Sequence, residues 1–305
     1  MSDQNKNSSS PALLTGCLAY FLWGLFPIYF KITESIPALE ILGHRILWSV
    51  PFGFLILIFR HQSGAVIAAL KNRKTCYYLL LASLSMALNW GLYIWAVQQD
   101  QIFQASLGYY ILPLLYFVTG VTFFAEKLTH LKVIAIILAS LGVLILTFYG
   151  GAFPYISIIL ATSFTIYTIC RKQADVDALP GLFIETLILT APALVYFGML
   201  YQDGALHFGS TTASMTALLI LAGPITVIPL VAFAFAARRL SLVSMGFLQY
   251  IAPTLHFIVG LYYGEAFTKA HGACFALIWF AIFIFSWDSW RVYKSNLRAS
   301  AAITH

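Results

Sequence analysis

Charge is what this chain lacks. Its 305 residues include 17 Lys or Arg and 11 Asp or Glu, so 9% are charged, against roughly 25% in soluble domains. With 61% hydrophobic residues, a soluble fold of this length would leave too much apolar surface facing water. Cysteine is sparse too: Cys17, Cys76, Cys170 and Cys274 lie singly in or beside apolar runs, with no CxxC pair. That excludes a zinc or dithiol motif and leaves small packing residues. No DDxxD-like cluster, no HExxH and no phosphate-binding loop occurs. An intramembrane metal-dependent transferase therefore has no machinery, and no metal or cofactor is expected. Any energy source is an ion gradient, an exchanged solute or the solute's own gradient. The formal net charge of +6 does not point to nucleic acid, because the basic residues form short clusters between apolar runs rather than one stripe.

What the chain has instead is length of apolar sequence. A helix crossing about 30 Å of hydrocarbon needs about 20 residues. Runs of that kind read at 12–32, 39–59, 76–97, 102–124, 131–149, 153–170, 179–201, 214–236, 242–263 and 271–290. The fold class is therefore an all-α polytopic membrane protein with ten transmembrane helices, and its nonspecific partners are membrane lipids. The polar stretch MSDQNKNSSS reads as part of a disordered cytoplasmic tail, 1–11, with a second tail at 291–305. The run from Pro11 to Ile32 is too long for a signal-peptide core and lacks a small-residue cleavage site, so it is expected to remain as the first span. With the N-terminus inside, fourteen Lys and Arg fall on the inner side against Lys31 and Lys269 outside, Arg45 lying within a span. That asymmetry places both termini in the cytoplasm.

The spans divide into two sets. YILPLLYFVTG (Tyr110 to Gly120) and YIAPTLHFIVG (Tyr250 to Gly260) agree at six of eleven positions without a gap. AEKLT (Ala125 to Thr129) answers GEAFT (Gly264 to Thr268) one position out of that register, and the offset of 140 between the first two segments carries Arg45 onto Glu185. Residues 12–150 and 151–290 thus read as two copies of a five-helix unit. Five is odd, so the second copy enters the membrane from the opposite side, as in many secondary transporters.

Several motifs carry a family resemblance. YFLWGLFP (Tyr20 to Pro27), PALEILGHRILW (Pro37 to Trp48), NWGLYIWAV (Asn89 to Val97), ASLGYY (Ala105 to Tyr110) and LQYIAP (Leu248 to Pro253), followed by Gly264–Glu265, resemble the RarD group of EamA-type permeases in the drug/metabolite transporter superfamily. The resemblance spans about residues 12–290. It implies a ten-helix inverted-repeat permease of the bacterial inner membrane, with spans 5 and 10 peripheral and the others around a central cavity. Members of that group are often labelled as linked to chloramphenicol sensitivity, which by itself makes no drug a substrate here.

Polar groups at membrane depth must find partners or serve transport. Arg45 lies in span 2 beside His44, and Glu185 lies at the matching place in span 7; opposite entry puts the two roughly 12 Å apart along the membrane normal, too far for a direct salt bridge. Arg45 reads as an anchor to lipid phosphates or carbonyls, or as an anion-attracting group at the outer mouth. His44, about 100° around the helix, faces elsewhere. Glu185 is the one acid placed clearly within a span, which makes it the candidate for proton coupling; a hydrogen bond to a neighbouring helix is the plainer role. The cavity lining is expected from Trp23, Asn89, Trp90, Tyr93, Tyr109, Tyr110, Gln249, Tyr250 and His256, polar tips on mostly aromatic bodies that suit a moderately amphipathic small molecule. Gly108, Pro113, Gly246 and Pro253 are hinge candidates, since proline removes a helical hydrogen bond.

The sequence therefore predicts a permease moving a small organic solute by alternating access, with coupling to protons or exchange. A channel would show a selectivity-filter pattern or charge ring, and neither is visible. Solute, direction and the choice of monomer or homodimer are open at this level.

Overall fold

A computed structural model describes residues 4–124, 129–149, 153–237, 239–240, 245 and 248–303. They form twelve helices: α1 (Gln4–Gly24), α2 (Phe26–Ile32), α3 (Ala38–Phe59), α4 (Ser63–Lys71), α5 (Arg73–Gln98), α6 (Ile102–Phe124), α7 (His130–Tyr149), α8 (Tyr155–Gln173), α9 (Ala178–Gln202), α10 (Ala213–Ala237), α11 (Ile251–Tyr262) and α12 (Lys269–Ile303). Among the described residues, seven segments are long and apolar enough to cross a membrane: Pro11–Ile32, α3, α5, α7, α9, the Ala213–Ala236 part of α10 and the Lys269–Asp288 part of α12. Ile102–Leu112 and Ile251–Tyr262 are shorter apolar stretches. The span expected at 153–170 is the helix α8, which is not among the seven. Its sequence carries Ser157, Ser163, Thr165 and Thr168, and these hydroxyls bond to carbonyl groups within the fold. Polarity satisfied that way lowers hydropathy without exposing a donor.

Local sequence explains the breaks. Pro27 has no N–H for the Trp23 carbonyl, so the first apolar run bends at Leu25 into α1 and α2. α11 starts at Ile251, just after a turn at Gln249 and Tyr250. The Gln249 carbonyl is the one that Pro253 cannot serve. α5 is capped by Asn72, the residue before it, whose side chain accepts from the N–H groups of Lys74 and Thr75 at 3.0 and 3.2 Å. α6 is continuous through Pro113. Gly246 lies outside the described residues.

The helices pack as pairs across the two halves of the chain. α1 lies on α10 and α5 on α8; α3 lies on α10 and α5 on α9; α6 lies on α8 and α1 on α11; α3 meets α9, α6 meets α11, and α7 meets α12. The main core, with Phe26, Phe30, Ile41, Ile46, Trp90 and Ile94, sits where these helices converge. Two close approaches set its dimensions. A Cβ on Gly223 would stand 2.4 Å from the Trp48 carbonyl carbon, so the glycine lets α10 touch the α3 backbone. A Cβ on Gly24 would stand 2.4 Å from Leu255 Cδ1, which brings α11 against the end of α1. Gly108 is also a contact point, with Ser157 of α8 where its Cβ would be.

At one end of the bundle, Glu265 in the α11–α12 connection caps α6. Both of its carboxylate oxygens accept from the Phe103 N–H at 3.0 Å, which places a negative group at a helix N-terminus. Burial pushes its carboxyl up to about 7; the N–H groups of Phe103 and Ile102 oppose that shift, Asp100 adds to it, and Lys31 lowers it.

Two measurements test these contacts. Gly223→Ala forces α10 off α3 and should cost about 1–3 kcal/mol by overpacking, seen as a lower Tm in detergent. Gly198→Ala, on α9 with open space around it, should leave Tm unchanged or raise it. For Glu265 the folded pKa stands above the unfolded one. Its contribution is therefore full below about pH 4.5 and is lost as pH rises through about 7. Glu265→Gln should flatten that part of the Tm–pH profile; a wild-type profile already flat between those values contradicts the assignment.

Candidate functional site

Arg45 projects inward from α3 and is only 4% exposed. Its Nε donates to the Thr226 hydroxyl of α10 at 2.8 Å, and that hydroxyl donates in turn to the Ala222 carbonyl at 2.8 Å. The guanidinium carbon stands 4.1 Å from the Trp90 ring centre, 5.0 Å from Phe26 and 5.8 Å from Phe30. Such cation–π contacts contribute about 0.5–2 kcal/mol each. The phenols of Tyr29, Tyr93 and Tyr109 lie within electrostatic reach. Among the described residues no carboxylate pairs with Arg45. It is therefore neither a lipid anchor nor a surface group.

His256, Tyr93, Asn89 and Tyr109 form the adjoining polar cluster. The Trp23 carbonyl, released by Pro27, lies 3.0 Å from His256 Nε2. A carbonyl oxygen only accepts, so Nε2 carries the hydrogen. The Tyr93 hydroxyl is also 3.0 Å from Nε2. His256 Nδ1 is then a bare acceptor, buried with no hydrogen-bond partner. Asn89 donates to the Leu160 carbonyl and the Ser163 hydroxyl of α8 and accepts from the Tyr109 hydroxyl at 3.2 Å. Tyr109 stacks edge-on against Tyr93 and His256, at 5.7 and 5.9 Å. Arg45, Asn89, Trp90, Tyr93 and His256 are all at least nine-tenths buried, so the cluster is closed to solvent at this level.

Not all expected lining residues meet there. Tyr110 sits on the other side of α6, bonded to Thr254 at 2.8 Å and packed against Tyr250, Phe275 and Trp279. Tyr250, with Gln249 bonded beside it, belongs to this second group between α6, α11 and α12. His44 lies tilted between Phe197 and Phe208 at 4.7 and 4.9 Å. Its Nδ1 accepts from Trp48 Nε1 at 3.2 Å. No group of three or more His, Cys, Asp or Glu gathers as a metal site among the described residues.

The EamA-like transporter family matches residues 10–148. The uncharacterized transporter PA0485 of Pseudomonas aeruginosa is 41% identical, covering 90% of this chain and 93% of its own length. Protein RarD of Escherichia coli is 37% identical over 91% of this chain and 94% of its own, and the uncharacterized transporter YojE of Bacillus subtilis is 39% identical over 89% and 92%. This chain belongs to the EamA-like transporter family, in its RarD group. A crystal structure only 19% identical overlays 93% of the chain and 99% of its own with a TM-score of 0.59, which supports the fold. With relatives named as transporters and seven membrane-length apolar segments, this RarD-type chain is a multi-pass bacterial membrane transporter.

Two further buried charges of this EamA-family chain are paired. Glu185 of α9 meets Arg171 of α8 at 3.4 Å. The Arg171 side chain lies over Gly181, where a Cβ would be 1.7 Å from Nη1, and its Nη2 donates to the Asp177 and Ala178 carbonyls. Glu185 is therefore not a lone carboxyl. Glu40, which reads as a span-end acid, is fully buried at the start of α3. It accepts from the His207 N–H at 2.8 Å and sits 2.7 Å from His207 Nδ1, tying the α9–α10 connection down. Sequence alone missed Glu40 because its partner lies 167 positions away.

Removing one partner of the α8–α9 pair leaves the other buried unpaired. Arg171→Met should cost about 3–5 kcal/mol, and Arg171→Met with Glu185→Gln should recover most of that loss. Additive losses in thermal unfolding would show that the two charges are not coupled.

Proposed function

We propose that the chain is a secondary carrier of ten spans, arranged as two inverted five-helix units, that moves a small organic solute by alternating access. The ten are α1 with α2, α3, and α5 to α12, while α4 lies outside the set. One observation supports the reading: the most extensive helix contacts between the halves map onto one another when the halves are exchanged. Offsetting by 140 residues turns α1–α10 into α8–α5, α3–α10 into α9–α5, and α6–α8 into α11–α1, and all six contacts occur. The contacts α3–α9, α6–α11 and α7–α12 map onto themselves. Two units that exchange in this way can exchange conformations as well, which is the basis of rocking carriers.

On this reading the buried cluster around Arg45 is the site in an occluded state. The Glu40–His207 contact closes the outer end and Arg171–Glu185 the inner end. Both termini face the cytoplasm, as the Lys and Arg distribution requires. Solute movement then breaks one latch at a time. Proton coupling through Glu185 would work by opening its contact with Arg171, so Glu185→Gln should lose pH-gradient-driven uptake while keeping exchange. Undiminished coupling in that variant removes the proton role.

The arrangement itself is open to test with a membrane-impermeant maleimide, after the four native cysteines are replaced. Single cysteines at Asn72 and Asp175 should label from one face, and those at Asp100 and Gly204 from the other. Labelling of positions 72 and 175 from opposite faces would end the inverted-unit reading. The transport step is checked in proteoliposomes with compounds chosen by thermal stabilisation. Preloading should accelerate uptake by counterflow in a carrier; a channel gives no such acceleration.

A further inference from the structure

We infer that Arg45 is an anion subsite and that the transported solute carries a carboxylate on a flat apolar or aromatic body. The inference rests on the carrier reading and names the substrate class of its site. A guanidinium has five N–H donors and keeps its charge. Here one donor meets one neutral hydroxyl, that of Thr226, and three ring centres lie 4.1, 5.0 and 5.8 Å from the guanidinium carbon. Rings attract a cation but accept no strong hydrogen bond along the guanidinium edge. A buried cation in a membrane fold calls for an opposite charge, and among the described residues none is supplied.

The second half of the chain shows a buried charge at the matching position with a counter-charge beside it. Offset by 140, Arg45 corresponds to Glu185 and Arg171 to Lys31. Glu185 has its counter-charge in Arg171. Lys31 instead pairs with Asp100 and Glu34, and as a cation it could not neutralise Arg45 in any case. The missing anion must come from elsewhere, and a solute carboxylate fits the planar guanidinium with two parallel bonds.

A second open group lies in the same cluster. His256 Nδ1 is buried and unpartnered, and Tyr93 links His256 to the neighbourhood of Arg45. The site therefore offers a cationic donor edge and one bare acceptor, with the Trp90 ring against the guanidinium and the Tyr93 and Tyr109 rings against His256. A hydroxyl or N–H on the solute would satisfy Nδ1. A cationic solute would meet like charge at Arg45, so amines are rejected rather than bound.

The test uses purified full-length protein and three carboxylates, benzoate, phenylacetate and indole-3-acetate. Each is compared with its primary amide, and benzylamine and tryptamine serve as the cationic arm. Carboxylates should raise the apparent Tm and bind about 10- to 100-fold more tightly than the amides, with amines giving no shift. Arg45→Gln should abolish the carboxylate preference, and Arg45→Lys should keep part of it. Because Arg45→Gln could simply fail to fold, the wild-type comparison stands as a test by itself. Amides or amines that bind as well as carboxylates, no shift with any of the three carboxylates, or a carboxylate preference kept in folded Arg45→Gln would each overturn the subsite. Counterflow in proteoliposomes separates the two readings. Carboxylate binding without counterflow keeps the subsite and removes the carrier; counterflow of amides or amines unaffected by Arg45→Gln keeps the carrier and removes the subsite.

Discussion

The bond from Arg45 Nε to the Thr226 hydroxyl joins α3 to α10, and the rings above the guanidinium bring in α2 and α5. A charge in this position dictates much of what surrounds it. The Thr226 hydroxyl spends its own hydrogen on Ala222, which leaves oxygen lone pairs facing the arginine. Gly223, one turn earlier on α10, removes the side chain that would otherwise hold the two backbones apart. The aromatic residues around Arg45 are therefore more than apolar filling, because a ring face is one of the few apolar surfaces that attracts a cation.

On the proposed inverted-unit reading, the two halves use one framework for different electrostatic ends. Glu185 stands where Arg45 stands in the other half, and it is met by a cation from the helix before it. The corresponding helix of the first half delivers Lys31, drawn aside by Asp100 and Glu34. A strictly symmetric protein would carry two closed pairs or two open ones. Divergence of the charges alone, with the helix contacts retained, can give one half a lock and the other a binding group.

Helix positions were legible where a bilayer-length apolar run leaves few alternatives: seven of the ten expected runs coincide with described helices long and apolar enough to cross a membrane. The partners of buried charges were less so. Arg171 follows Cys170 at the end of an apolar run and reads as a flanking loop charge; what draws it inward is the bare backbone of Gly181 on the next helix. Glu40 looks like a boundary acid for the same reason. Grouping Tyr109 with Tyr110 in one lining could have been corrected from geometry, since adjacent helical residues point about 100° apart. The structure sends Tyr109 to Asn89 and Tyr110 to Thr254. The low hydropathy of α8 is likewise readable only once its neighbours are known, because its hydroxyls are satisfied by carbonyls within the fold.

The polarity of the cluster traces back to a single proline. An unbroken first helix would have used the Trp23 carbonyl internally, and His256 could then have carried its hydrogen on either nitrogen. With Pro27 in place that carbonyl needs a donor from outside the helix, and Nε2 of His256 is the atom that reaches it. The neutral ring is thereby fixed with Nδ1 as acceptor. Substituting an ordinary residue at position 27 would thus alter the hydrogen-bonding character of a side chain more than 200 positions away, without touching it. The broken helix and the buried histidine are one device, and it is what sets an acceptor in the same cluster as the donor edge of Arg45.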